Sequence, residues 1–142
     1  MKKLPVLSKI SLLILPLFIM IFFSSCATKM EFNKSNIAPA AVGYVKIKKD
    51  NNKNYTVELN ITNLAPSSQL SPSKSTYVVW MNTKNNGQKN IGQLNSSSGI
   101  FSKTLKASLT TVTSFEPTGF FITAENDGNI QYPGTQIILS TN

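Results

Sequence analysis

The fold class is decided by one stretch, Tyr55-Thr56-Val57-Glu58-Leu59-Asn60-Ile61-Thr62. Its odd-numbered positions are apolar and its even-numbered positions are polar, which is the two-residue period of a strand with one buried face. Residues 41–49 alternate in the same way, and the turn-forming residues Asp50 to Asn54 lie between the two segments. We therefore expect residues 41–49 and 55–62 to form a β-hairpin.

The densest apolar run is Tyr77-Val78-Val79-Trp80-Met81. It predicts a central strand over residues 76–83 that is covered on both faces. We expect Trp80 to be buried between two sheets, because a large aromatic side chain in the most apolar strand usually anchors such a core. The preceding loop, residues 63–75, contains Pro66 and Pro72, which keep it out of any central strand.

The remaining strands are short and separated by turn residues. Strands are predicted at residues 90–94, 100–105, 120–125 and 136–140, with residues 107–114 left ambiguous. Turns are predicted at residues 85–87, 95–99, 127–128 and 133–134. About seven strands with a turn roughly every 8 to 12 residues predict an all-β domain over residues 40–142, an antiparallel two-sheet sandwich of immunoglobulin-like type.

The N-terminus has the pattern of a secretory signal peptide. Met1-Lys2-Lys3 and Lys9 are followed by residues 10–23, which carry no charge. A membrane-spanning helix needs about 20 apolar residues, so this segment is short for a permanent anchor. We expect residues 1–25 to be removed as a signal peptide.

The small residues before Cys26 predict lipid attachment. Phe23-Ser24-Ser25-Cys26 resembles the lipobox cleaved by lipoprotein signal peptidase, although Phe23 stands where Leu is usual. The resemblance implies that Cys26 becomes the N-terminus and carries diacylglycerol and fatty acid such as palmitate. The alternative is a thiol in an uncleaved membrane anchor. Cys26 is the chain's single cysteine, so no disulfide is expected.

The residues after Cys26 indicate which membrane the protein is sorted to and how the domain is connected to its anchor. Ala27, in place of Asp, favours the outer membrane over the inner one, by resemblance to lipoprotein sorting in diderm bacteria. Residues 26–39 are polar with little apolar periodicity, so we expect the lipidated cysteine to be followed by a flexible tether. The predicted location is the bacterial cell envelope.

Charge argues against nucleic acid as a partner. The mature chain keeps 11 lysines against six acidic residues, a net charge of +5, and it has no arginine. Arginine is the preferred residue for bidentate phosphate and base contacts. Only Lys46, Lys48 and Lys49 cluster in the sequence.

The composition also limits catalysis. The absence of histidine removes Ser-His-Asp and Cys-His catalysis and most zinc or copper sites. Lipidation of Cys26 consumes the only thiol. Glu125 and Asp127 are the nearest pair of carboxylates, and no aromatic sugar platform lies beside them. We expect no catalytic residues, no cofactor and no enzymatic activity.

The segment Glu125-Asn126-Asp127-Gly128-Asn129 has two interpretations. Several oxygen ligands in a short loop are typical of calcium sites. Asp-Gly is also a turn sequence that favours positive φ without any ion. We favour the turn and predict no metal site.

Five short motifs occur in an order that resembles one family. They are Tyr77-Val78-Val79-Trp80-Met81, Ile91-Gly92-Gln93-Leu94, Phe120-Phe121-Ile122-Thr123-Ala124-Glu125, Asp127-Gly128 and Pro133-Gly134-Thr135-Gln136-Ile137-Ile138-Leu139-Ser140. Over residues 40–141 the chain resembles the extracytoplasmic C-terminal domain of anti-sigma-K factors. The resemblance implies a β-sandwich and an extracytoplasmic compartment. It does not imply sigma-factor binding, because that activity needs a cytoplasmic helical domain, and we expect none here: the predicted signal peptide opens on Met1-Lys2-Lys3 and its cleavage would leave no cytoplasmic part.

Two function classes follow from these observations. The first is a membrane-anchored envelope lipoprotein whose non-catalytic sandwich is a structural or protein-interaction module with an envelope protein partner. The second is a module that binds a small ligand or glycan through loop 63–75 and exposed tyrosines such as Tyr44 or Tyr132. A concave pocket would favour the second class, and a sheet edge or an apolar patch would favour the first.

Overall fold

The computed structural model describes residues 27–98 and 105–142, and this part of the chain is all-β. It contains eight strands and one short 3-10 turn, Ser67–Gln69. The strands are β1 (Ala27–Glu31), β2 (Val42–Lys49), β3 (Tyr55–Thr62), β4 (Thr76–Thr83), β5 (Gln88–Ser98), β6 (Leu105–Thr113), β7 (Pro117–Glu125) and β8 (Ile137–Ser140). The predicted antiparallel sandwich is confirmed, with eight strands where about seven were expected.

Two four-stranded antiparallel sheets make up the sandwich. The first has the order β1-β2-β3-β6, and the second has the order β5-β4-β7-β8. Strand β5 links them, because its residues 88–94 pair with β4 and its residues 95–98 pair with β6. The sheets also meet on the opposite side, where Phe32 bridges to Thr141 and the Asn33 amide donates to the Ser140 carbonyl at 2.8 Å.

The turn predicted at residues 95–99 is wrong, because β5 continues to Ser98. The sequence Asn95-Ser96-Ser97-Ser98 favours a turn by composition. Its backbone nevertheless continues the strand and pairs with β6 from Ser108 to Leu105. Of the strand predicted at residues 100–105, all but Leu105 falls outside the described residues.

The flexible tether predicted within residues 26–39 is wrong for its first part, which forms strand β1. Ala27–Glu31 pairs with β2 over five residues. Met30 packs against the core between the sheets, while Lys29 and Glu31 form an exposed ion pair at 2.8 Å. An edge strand with so little apolar surface shows no clear periodicity in the sequence. The sandwich therefore begins at Ala27 and not at residue 40.

The apolar side chains of both sheets fill one core between them. The hairpin of β2 and β3 is confirmed, with eight consecutive residue pairs. Val57, Leu59 and Ile61 are 0 to 1 % exposed, as their alternation predicted. The core also takes in residues of the second sheet, among them Tyr77, Val79, Met81, Phe120, Ile122 and Leu139.

Trp80 is fully buried, but its predicted position between the sheets is wrong. Strand β4 is covered on both faces, as expected. Its odd-numbered residues face the core between the sheets, so Val78 and Trp80 lie on the outer face of the second sheet. There they form a separate cluster with Phe121 and Ile130. A run that is apolar at every position does not indicate which of its residues face which side.

Loop 63–75 closes one end of the sandwich. Leu64 is 0 % exposed, and the Tyr77 hydroxyl donates a hydrogen bond to the Ala65 carbonyl at 2.8 Å. The Ser75 amide donates to the Glu125 carbonyl at 2.9 Å. The loop is therefore held against the core at several points.

Tyr77 gives a prediction about alkaline pH. Burial raises the pKa of its phenol from 10.0 to about 12. Above pH 10 the unfolded chain releases this proton while the folded chain keeps it. The contribution of this phenol to the free energy of unfolding is therefore fully present below pH 10 and is lost between pH 10 and 12. We expect the free energy of unfolding of Tyr77→Phe, measured with urea from pH 9 to 12, to fall less steeply with pH than that of the unchanged protein. Parallel curves would contradict the buried phenol.

Candidate functional site

The most elaborate surface structure is the connection between β7 and β8, residues 126–136, which covers the outer face of the second sheet. Beneath it Trp80 and Phe121 stack with ring centroids 6.1 Å apart and planes inclined by 13°. The Trp80 indole Nε1 donates to the Thr123 hydroxyl at 2.8 Å, which satisfies the only polar atom of the indole. Ile130 of the connection packs against this pair.

Asn90 holds the connection to β5. Its Nδ2 donates to the carbonyls of Gly128 and Ile130 at 2.9 and 3.0 Å, and its Oδ1 accepts from the Gly92 amide at 3.1 Å. The pairing with β4 shifts at this point, which leaves Ile91 as the extra residue of a β-bulge. Gly92 has φ +137°, a conformation that other residues rarely adopt.

Two carboxylates hold the turns of the same connection. Glu125 is 7 % exposed, and its Oε1 accepts a hydrogen bond from the Gly134 amide at 2.7 Å. Asp127 Oδ1 accepts from the Asn129 amide at 2.9 Å. Gly128 does not have the positive φ expected of a tight Asp-Gly turn. Its backbone instead lies against the end of the Gln93 side chain, and a Cβ there would require that carboxamide to move.

The hydrogen bonds of Glu125 and Asp127 are those of turns held by their own carboxylates. Within residues 27–98 and 105–142, no three acidic, histidine or cysteine side chains lie close enough together to hold a metal ion. The carboxylates of Glu125 and Asp127 each bind a backbone amide of their own loop.

We predict that a chelator leaves the melting temperature unchanged, because Glu125 and Asp127 each accept a hydrogen bond from a backbone amide of their own loop and stabilise it without an ion. The measurement is thermal unfolding with and without EDTA. A fall of several degrees that Ca²⁺ reverses and Asp127→Ala abolishes would show that the loop binds calcium.

A polar groove of about 660 Å³ runs between this connection and β5. Its lining includes the amide side chains of Gln93, Asn129 and Gln131, together with Lys89 and Tyr132. Tyr132 is 82 % exposed. An exposed aromatic ring beside several carboxamides can stack on and hydrogen-bond a polar ring such as a sugar.

Tyr44, the other tyrosine predicted to bind a ligand, lies on the outer face of the first sheet. The Nζ atoms of Lys29 and Lys46 are 4.7 and 5.5 Å from the centroid of its ring. The ring is half-buried and borders a depression of about 570 Å³ that Asn60 and Lys106 also line. Two ammonium groups therefore already occupy positions against the ring.

The structure does not combine the three predicted binding elements into one site. Tyr44 and Tyr132 line different depressions, and loop 63–75 lines neither. Asn90 was not predicted as a functional residue. The sequence signal that could have indicated it is Gly92, since an isolated glycine in a strand often marks a bulge.

The predicted lipidation site, Cys26, lies outside the described residues, as does the signal peptide. Its neighbour Ala27 is the first residue of β1. Across the described ranges 27–98 and 105–142, no helix has the length and apolarity needed to cross a membrane.

No family model, curated protein or solved structure matches this chain. The resemblance to the anti-sigma-K C-terminal domain stays a prediction.

Proposed function

We propose that this protein is a lipid-anchored lipoprotein of the bacterial cell envelope, and that its sandwich is a non-catalytic structural or protein-interaction module. Cys26 carries the lipid and Ala27 directs the protein to the outer membrane. Because β1 starts at Ala27, a lipid on Cys26 would hold the domain directly at the membrane surface.

The observation that carries the interaction role is the edge formed by β8. This strand is the last in the sheet order, and its Ile137 is 50 % exposed. Ile37, 46 % exposed, lines the same depression as residues 137–140. Residues 32 and 33 already pair with Thr141 and Ser140 at one end of this edge, so the contact surface consists of the exposed side chains of Ile37 and Ile137, on which another protein can bury an apolar side chain.

Cross-linking and purification of the acylated protein from native envelopes tests this role. We expect Ile137→Lys to lose a partner that the unchanged protein retains, since a charge would be placed in the apolar contact. Val42→Lys is the matched control, because Val42 is also exposed but lies on the first sheet. Recovery of the same proteins with Ile137→Lys and the unchanged chain would contradict an interaction through this edge.

The second candidate function is binding of a small ligand or glycan, and the Tyr132 groove favours it. Its carboxamides and exposed ring have the chemistry of a sugar-binding surface. Pull-down on peptidoglycan sacculi, comparing the unchanged protein with Tyr132→Ala, tests it. Retention that Tyr132→Ala abolishes supports this candidate, and no retention of either protein rejects peptidoglycan as the ligand.

A further inference from the structure

The end of the sandwich at which β1 begins has an unusual outer surface. The strand register places Ala27 beside Lys48, Lys48 beside Thr56, and Thr56 beside Val112. Because side chains alternate between faces, these four project from the same outer face of the first sheet. The β2–β3 turn, residues 50–54, continues the sandwich beyond this row.

Lysines that are dispersed in the sequence come together here. Lys29 and Lys46 are direct cross-strand neighbours. The Lys84 backbone amide donates to the Glu116 carbonyl at 3.1 Å, which joins the β4–β5 turn to the β6–β7 loop at this end. Within residues 27–98 and 105–142, the lysines of this end are Lys29, Lys46, Lys48, Lys49, Lys53, Lys84 and Lys89. The acidic residues among them are Glu31, Asp50, Glu58 and Glu116.

The excess of lysines leaves this end positively charged despite its ion pairs. Lys48 is 3.8 Å from Glu58, and Lys84 is 3.5 Å from Glu116. Lys29 and Glu31 form a third pair, at 2.8 Å. The side chains of the three pairs are between 36 % and 74 % exposed, so water weakens the pairing and the lysines stay available to other anions.

Exposed apolar side chains accompany the lysines. Val112 is 64 % exposed and Phe115, in the β6–β7 loop, is 36 % exposed. The Lys89 Nζ lies 5.2 Å from the centre of the Phe115 ring. Apolar side chains set among lysines suit the boundary between lipid headgroups and acyl chains, where each kind of group meets its preferred surroundings.

We infer that this end of the sandwich, which we call the lysine end, docks on a membrane surface rich in anionic phospholipid headgroups. The lysines contact the headgroup phosphates, and Val112 and Phe115 enter the boundary with the acyl chains. The orientation rests on the proposed anchor at Cys26, which precedes β1 directly and would bring this end to the bilayer. The docking fixes a domain that lipid alone would leave able to rotate.

The test uses the full-length chain, processed by its host and reconstituted into vesicles with and without phosphatidylglycerol. Cys26 is the only cysteine, so a cysteine introduced elsewhere is the single reactive thiol once Cys26 is acylated. Ser114→Cys places it at the lysine end, and Asn126→Cys places a thiol at a position that is also exposed, at the far end of β7. The measurement is the rate of modification by a bulky water-soluble maleimide.

We expect phosphatidylglycerol to slow modification of Ser114→Cys by roughly tenfold and to leave Asn126→Cys unchanged. High salt should remove the difference, because it screens the attraction. Replacing Lys48, Lys49 and Lys53 by Gln should remove it as well. The matched triple replacement of Lys34, Lys74 and Lys106, which lie away from this end, should not.

Equal rates of maleimide modification of Ser114→Cys in the two kinds of vesicle would overturn the inference. It would also be overturned if phosphatidylglycerol slowed this modification equally in both triple variants. A flotation assay with purely zwitterionic vesicles tests the lipid anchor separately, because a protein without lipid does not float with such vesicles. That result would reject the proposed lipoprotein, whereas flotation with anionic vesicles alone would still support docking through the lysines.

Discussion

Replacing Trp80 by alanine is expected to destabilise the domain by about 3 to 5 kcal/mol, enough to unfold much of a domain of this size. The indole is 0 % exposed, stacks on Phe121 and donates a hydrogen bond to Thr123. Its removal leaves a cavity beneath residues 126–136 and leaves the buried Thr123 hydroxyl without its partner. Urea unfolding followed by circular dichroism measures the loss, and native Trp80 fluorescence should be blue-shifted.

Two further variants test where Trp80 lies. Trp80→Phe keeps an aromatic ring but loses the hydrogen bond to Thr123, so it should cost about 1 to 3 kcal/mol. Ile130→Ala removes most of the side chain that packs on Trp80 from residues 126–136, so it should increase quenching of Trp80 fluorescence by acrylamide. Unchanged quenching, or a red-shifted native spectrum, would contradict a tryptophan buried under this connection.

The Cys26→Ser substitution is expected to abolish membrane attachment. Serine lacks the thiol that receives diacylglycerol, and each buried CH₂ of the acyl chains contributes about 0.8 kcal/mol to binding. Growth with an alkyne fatty acid should therefore label the unchanged protein and leave Cys26→Ser unlabelled.

Ala27→Ser is the control for the lipidation experiment, because it alters the neighbouring residue and keeps the thiol. It should be labelled like the unchanged protein. Equal labelling of Cys26→Ser and the unchanged protein would refute acylation at this cysteine.

The strands with a clear sequence pattern were predicted well. Tyr55–Thr62 and Thr76–Thr83 have the predicted bounds. In the first, strict alternation fixed both the strand and its buried face. In the second, the apolar run predicted a strand covered on both sides, but not that Trp80 faces away from the core between the sheets.

Features that depend on distant pairing were not predictable. Strand β1 and residues 95–98 of β5 are polar, and they become strands because β2 and β6 supply their hydrogen-bond partners. The role of Asn90 depends on residues 128 and 130, which approach it only after folding. Likewise the lysine end arises because strand pairing brings Lys29 beside Lys46.

The most direct test of the lipoprotein proposal is the intact mass of the protein extracted from membranes. The predicted result is a chain that starts at Cys26, with added mass equal to a diacylglyceryl group and any further fatty acid. A mass matching the unprocessed, unmodified chain of 15.6 kDa would contradict the account.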